Sequence, residues 1–201
     1  MSRSPSNPGG PDGAPGFQAL TLHAAQALSD LDALDALLAS KDDLDEARDV
    51  LPFFRAHPQL ALFGLFRADL VGDWQRKRYC FVEFEDARAE SIFKATARRT
   101  SDWATRFQKG YCQVVDWFWL LEAQQDTVQF EAQFGKRTIQ ATGLLVIGRD
   151  RTITAGDRHR FEGWRDRVIV DSRTIICCTY DELARDLRDR LTFARDSGGR
   201  S

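Results

Sequence analysis

Three acids in the stretch RADLVGDWQRKRYCFVEFED, Arg67 to Asp86, have the types and spacing to hold a metal ion. Two apolar, β-prone runs flank a polar, charged turn, which is the pattern of a hairpin. Alternate residues of a strand share a face, so Glu83 and Glu85 point the same way. A hairpin centred near Arg76 places Asp69 opposite Glu83 and Arg67 opposite Glu85. Opposed carboxylates repel, and a divalent cation among hard oxygen ligands relieves that repulsion. The competing reading is a solvated outer face, with Arg67 and Glu85 as a cross-strand ion pair and Asp69 turned to water. Spacing alone leaves both open.

The second group of chemistry-bearing residues falls on one long helix, expected from Trp103 to about Gln124 with Asp102 as its N-cap. Its apolar stripe is Trp103, Phe107, Tyr111, Val114, Phe118 and Leu121, and Gly110 allows close packing within it. Spacings of three and four put Lys109, Gln113 and Asp116 on the opposite face. That face is either plain solvent or the wall of a site. Between Arg88 and Lys109, six basic residues (Arg88, Lys94, Arg98, Arg99, Arg106, Lys109) stand against two acids, Glu90 and Asp102. This is the one clear basic stretch and it follows directly on the acidic hairpin. A solvated loop is the ordinary meaning of such a run.

These groups must be positioned by a chain of 201 residues, long enough for one domain with a real core. The net charge of −2 carries no global basic signature for nucleic acid, which leaves only a local patch for that role. No apolar run is long enough to span a bilayer. The opening MSRSPSNPGGPDGAPG lacks a secretory apolar core. The four cysteines, Cys80, Cys112, Cys177 and Cys178, lie in apolar surroundings without metal-ligand spacing, so free buried thiols in a reducing cytoplasm are expected.

Residues 1–16 read as a disordered tail and 196–201 as a frayed one. An N-terminal helix within 17–42 carries Leu20, Ala24, Ala27, Leu28, Leu31, Leu34 and Leu38 at helical spacing, with Asp30, Asp32 and Asp35 interleaved. It either packs on the domain or serves as a dimerising element. A second helix runs from about Asp43 to Arg55, and Pro58 turns the chain at His57. A short helix is expected around Ser91 to Ala95, and QDTVQFEAQFGKRTIQAT reads as a loop with weak strand character.

GLLVIGR and RTIICC read as buried strands, separated by a helix from about Gly156 to Arg167. The last helix, TYDELARDLRDRLTFA, opens on a Thr179–Glu182 capping box. Strand, helix, strand at this spacing implies a parallel pair. The order gives an α/β fold, a mixed central sheet flanked by helices.

An acid on one strand, an acid pair on the next and a helix carrying glutamine resemble the PD-(D/E)xK nucleases. More specifically, FFRAHPQL, RADLV, VEFE, QVVDWFW, LLVIGR and TYDEL resemble the C-terminal domain of Shedu anti-phage defence proteins, over roughly residues 45–192. The resemblance implies a restriction-endonuclease-like fold over 43–195 and metal-dependent cleavage of DNA in the cytoplasm. It implies Asp69 and Glu83 as ligands of Mg²⁺ (or Mn²⁺), with Gln113 lining the site.

The chain departs from the pattern at Glu85, which stands where lysine is usual. Lys109, or less directly Lys94, then supplies the ammonium, or Glu85 becomes a further metal ligand, or the domain is inactive and only binds nucleic acid or a protein. Arg98, Arg99 and Arg106 would rim the cleft and contact DNA, and the N-terminal helices would carry any homo-oligomer. Trp117 and Trp119 read as packing, Arg149 as a phosphate contact or a surface arginine, and His159 as part of an exposed helix face.

Overall fold

The computed structural model describes residues 23–60, 78–98, 100–170 and 172–198. Asp69, Arg67 and the first half of the expected hairpin lie outside them, as does Arg99. The leucine stripe at the start forms α1, Ala24–Ser40. A single wide helical turn at Glu46–Val50 runs into α2, Leu51–Ala56, which ends at His57 ahead of Pro58. The sheet is then built from β1 (Arg78–Phe84), β4 (Gln140–Val146), β5 (Ile169–Val170) and β6 (Arg173–Cys178). Its order is β1-β4-β6-β5. The first three strands are parallel and β5 closes the edge antiparallel to β6, so the sheet is mixed.

Both faces of this sheet are covered by helices, which is why its central strands are continuous apolar runs. Leu144, Val146 and Cys178 face α1 and the last helix, α6, Tyr180–Gly198. Leu145, Ile147, Ile175 and Cys177 face the other way, onto α3 (Thr105–Gln124) and α5 (Ala155–Arg167). Cys80, Val82 and Phe84 of β1 pack on the α1/α6 side. By the period of two, Glu83 is therefore turned toward α3. The acids sit on a helix-covered face and not on an open one.

α3 lies close on the sheet because two glycines leave room for it. A Cβ on Gly143 of β4 would come within 2.3 Å of Val114 Cγ1, and one on Gly110 of α3 within 2.9 Å of both Glu85 Cγ and Leu145 Cδ1. The capping box of α6 forms as expected: Thr179 N–H donates to Glu182 Oε2 at 2.9 Å, and Glu182 N–H donates to Thr179 Oγ1 at 3.0 Å. α1 spends its stripe on the domain, with Ala27, Leu31, Leu34 and Leu38 buried against α6.

Several expectations are corrected. Ser91 to Ala95 is not helical: β2, Phe93–Lys94, pairs antiparallel with β3, Asp102–Trp103. The stacked Phe93 and Trp103 rings, centroids 4.5 Å apart, hold this ribbon together. Asp102 is consequently a strand residue and Ala104, without a side-chain cap, precedes α3. The segment after α3 carries a helix, α4, Val128–Phe134, where a loop was expected, and its strand character is confined to its last three residues, 140–142, which open β4. Thr127 Oγ1 caps α4 by accepting from Phe130 N–H, and Gly135 ends it at φ 69°. Cys112 is exposed while Cys177 and Cys178 are buried, and all four thiols are free. Trp119 is exposed, not packed.

Candidate functional site

β1 delivers Glu83 and, just past its end, Glu85 and Asp86 to the base of α3. Gln113 reaches across from α3, its Nε2 donating to Glu83 Oε2 at 2.9 Å. Glu83 is half-buried and its carboxyl is pushed up to about 7, first by burial and then by the charges of Glu85 and Glu46, with Lys109 pulling the other way. Lys109 itself is exposed one turn before Gln113, and Lys94 is exposed on β2. Arg98 is exposed in the loop between β2 and β3.

Glu85 is the most enclosed acid of the group, 2 % exposed. Arg106 Nη1 lies 3.0 Å from its Oε2, and the Gly110 backbone lies against its side chain. The Tyr180 hydroxyl donates to the Glu85 carbonyl at 2.7 Å, locking the strand end to α6. Burial raises the Glu85 carboxyl above its ordinary range, with Arg106 opposing.

Asp86 and Glu46 complete the cluster, and neither was marked by sequence reasoning. The Glu46 N–H donates to Asp86 Oδ1 at 2.8 Å. Arg106 Nη2 stands 3.0 Å from Asp86 Oδ2, and its Nη1 stands 3.9 Å from Glu46 Oε2. Alternation along a continued strand would have sent Asp86 away from Glu85. β1 ends at Phe84, however, and just past it one arginine meets both acids. Glu46 lies forty positions from Asp86 in the chain, so no local pattern announces it.

Glu46, Glu85 and Asp86 thus gather round Arg106, with Glu83 beside them; Arg88, its Nε 3.5 Å from Asp86 Oδ2, and Lys109 are further nearby cations. Such an excess of hard oxygen donors is chemically suited to a divalent ion. Among the described residues no three acid, thiol or imidazole groups converge closely enough to hold one. Glu83 fits the role of ligand, since only its Oε2 is engaged by a described partner, whereas Glu85 is committed to Arg106. Asp69, the expected partner of Glu83, lies outside the described residues.

Other candidates resolve as structure. Arg149 is buried and donates to Asp181, with Nη2 3.0 Å from Oδ1 and Nη1 3.1 Å from the Lys41 carbonyl, so it is neither a phosphate contact nor a surface residue. His57 Nδ1 pairs with Asp30 Oδ1 at 3.0 Å, joining the turn to α1. His159 is exposed on α5, as expected. No helix among the described residues is long and apolar enough to cross a membrane.

The family model described as "Shedu protein SduA, C-terminal" matches residues 43–184. The chain belongs to the Shedu family. The Shedu match begins just before the Glu46 turn and ends in the first turns of α6, so it takes in Glu46, Glu83, Glu85, Asp86, Arg106 and Gln113. α1 precedes it. No curated protein matches the chain.

The raised carboxyls make a signed prediction for this Shedu domain. Glu83 holds its proton more tightly folded than unfolded, so its favourable contribution is complete below the unfolded pKa, near 4.3, and is lost as pH rises through about 7. Glu85 acts in the same direction. In metal-free buffer the melting temperature should therefore fall between pH 5 and pH 7.5, and Glu83→Gln should flatten that slope. An unchanged slope in the variant would remove Glu83 as its source.

Proposed function

We propose that this Shedu domain is a metal-dependent DNA nuclease acting in anti-phage defence within the cytoplasm, built on a restriction-endonuclease-like sheet. The observation that carries the reading is Glu83, a half-buried carboxylate turned onto the α3 face, bonded to Gln113 and pushed up to about 7. Perturbed acids of this kind cluster at working sites.

Glu83, with Asp69, would hold Mg²⁺ or Mn²⁺. The ion, when bound, supplies polarisation of the phosphate and a water acidic enough to attack at neutral pH. The chain's own residues do the positioning. Gln113 Nε2 holds one oxygen of Glu83 and leaves the other for the ion. Lys109, exposed one turn earlier on the same helix, and Arg98, exposed between β2 and β3, with Arg99 next to it in the chain, would contact the DNA backbone.

One observation favours a second reading, an inactive domain that binds nucleic acid or a protein partner: Glu85 is closed by Arg106 and not held open. Incubation of the purified protein with linear, nicked and single-stranded DNA separates the two. Cleavage with Mg²⁺ or Mn²⁺ that stops with chelator supports the nuclease. Binding without cleavage under every metal condition supports the inactive domain and overturns the nuclease.

A further inference from the structure

The charge of the site turns on Arg106. Its guanidinium bridges two consecutive carboxylates, Nη1 to Glu85 Oε2 and Nη2 to Asp86 Oδ2, each at 3.0 Å. Both acids are buried, and Asp86 is fixed in turn by the Glu46 N–H. The Arg106 side chain nevertheless keeps 39 % of its surface exposed. A guanidinium carries five donors in a rigid fork, so two can be anchored while others stay open to an oxyanion.

We propose that Arg106 is the phosphate-contacting cation of the site, and that Glu85 with Asp86 is the clamp holding it, so that Glu85 is a positioning residue and not a metal ligand. The inference rests on the nuclease reading above. It accounts for the departure at Glu85 without an inactive site: the strand carries the acid, and the helix carries the guanidinium that the acid holds. Gly110 belongs to the same device. One turn along α3 from Arg106, its missing Cβ leaves room for Glu85, whose Cγ would otherwise lie 2.9 Å from it.

Lys109 is the weaker claimant for this role. It is exposed and makes no ion pair among the described residues, so its side chain must be ordered when phosphate arrives. Arg106 is already in place, and a pre-oriented charge needs no reorganisation as the reaction proceeds.

The test combines kinetics with Mn²⁺ titration of the full chain. Arg106→Gln should lower kcat at least about a hundredfold with the KM for DNA little changed, and should leave Mn²⁺ affinity intact. Arg106→Lys, which keeps the charge but not the fork, should fall between. Glu85→Gln should retain Mn²⁺ binding while Glu83→Gln loses it. Adding Glu85→Lys to Arg106→Gln should raise kcat above that of Arg106→Gln alone, because the ammonium returns the missing charge from the strand. If Arg106→Gln fails to fold, the double variant Glu85→Gln/Arg106→Gln removes both charges and carries the same kinetic comparison.

An undiminished kcat overturns the proposal. So does a loss confined to KM with a shallower salt dependence, which would make Arg106 an ordinary DNA contact. Loss of Mn²⁺ affinity in Glu85→Gln equal to that in Glu83→Gln makes Glu85 a ligand and overturns it as well. A wild type that never cleaves DNA sinks the nuclease reading separately, and the Mn²⁺ titrations then still decide whether Glu85 is a ligand.

Discussion

Glu83→Gln is expected to lower metal-dependent DNA cleavage by about a thousandfold, corresponding to the several kcal/mol of charge stabilisation that a correctly held metal supplies. Glutamine has nearly the same shape and can still meet Gln113, but it cannot present an anionic oxygen to a cation. The same substitution should raise the melting temperature at neutral pH in metal-free buffer. It replaces a carboxyl that resists ionisation, held up to about 7 by burial and by Glu85 and Glu46, with a neutral group. Gain of stability with loss of activity is the signature of a residue kept for function. Full activity in the variant, measured on linear DNA with Mg²⁺ and with Mn²⁺, would refute the site.

Gly143→Ala is expected to cost about 2 kcal/mol of stability, the range for overpacking a filled core. The new methyl would stand 2.3 Å from Val114 Cγ1 and 3.1 Å from Phe118 Cζ. Both neighbours are buried, at 0 % and 1 % exposure. Val114 has little rotamer freedom inside a helix, so α3 itself must lift. Because α3 carries Arg106 and Gln113, cleavage should fall along with stability. Gly163 on α5 is the control, since a Cβ there meets nothing within 4 Å. Gly163→Ala should stabilise by up to about 1 kcal/mol through helix propensity alone. Urea unfolding of both variants checks the pair, and equal shifts would deny the close approach of α3.

The regular parts of the fold were legible because their signals are local. GLLVIGR and RTIICC are apolar runs of strand length, and the Thr179–Glu182 box marks the start of α6 within one turn. α4 was missed although it is written in the chain. Phe130 and Phe134 stand four apart between a Thr127 cap and Gly135, but the polar residues around them hide so short a pattern. β2 and β3 hold two residues each. Their pairing comes from ring stacking across the ribbon, which no periodicity reports.

Within the site, spacing placed Glu83 and Gln113 on faces it left open to solvent, and it was the family resemblance that set Gln113 beside Glu83. The Glu85–Arg106–Asp86 bridge did not. It depends on β1 stopping at Phe84 and on a turn forty positions upstream coming to rest beside it.

Inheritance and folding draw different borders on this chain. The family segment covers 43–184, yet one core cluster joins Ala27, Leu31, Leu34 and Leu38, before that segment, to Leu187 and Leu191, after it. Arg188 ties the same two outliers together through Asp32 and Asp35, and Asp30 reaches His57. What is passed down as a recognisable piece is therefore shorter than what must melt as one body. An excision along the family border would strip two leucine rows bare, and a signal reaching α1 would meet the back of the very sheet whose front carries Glu83.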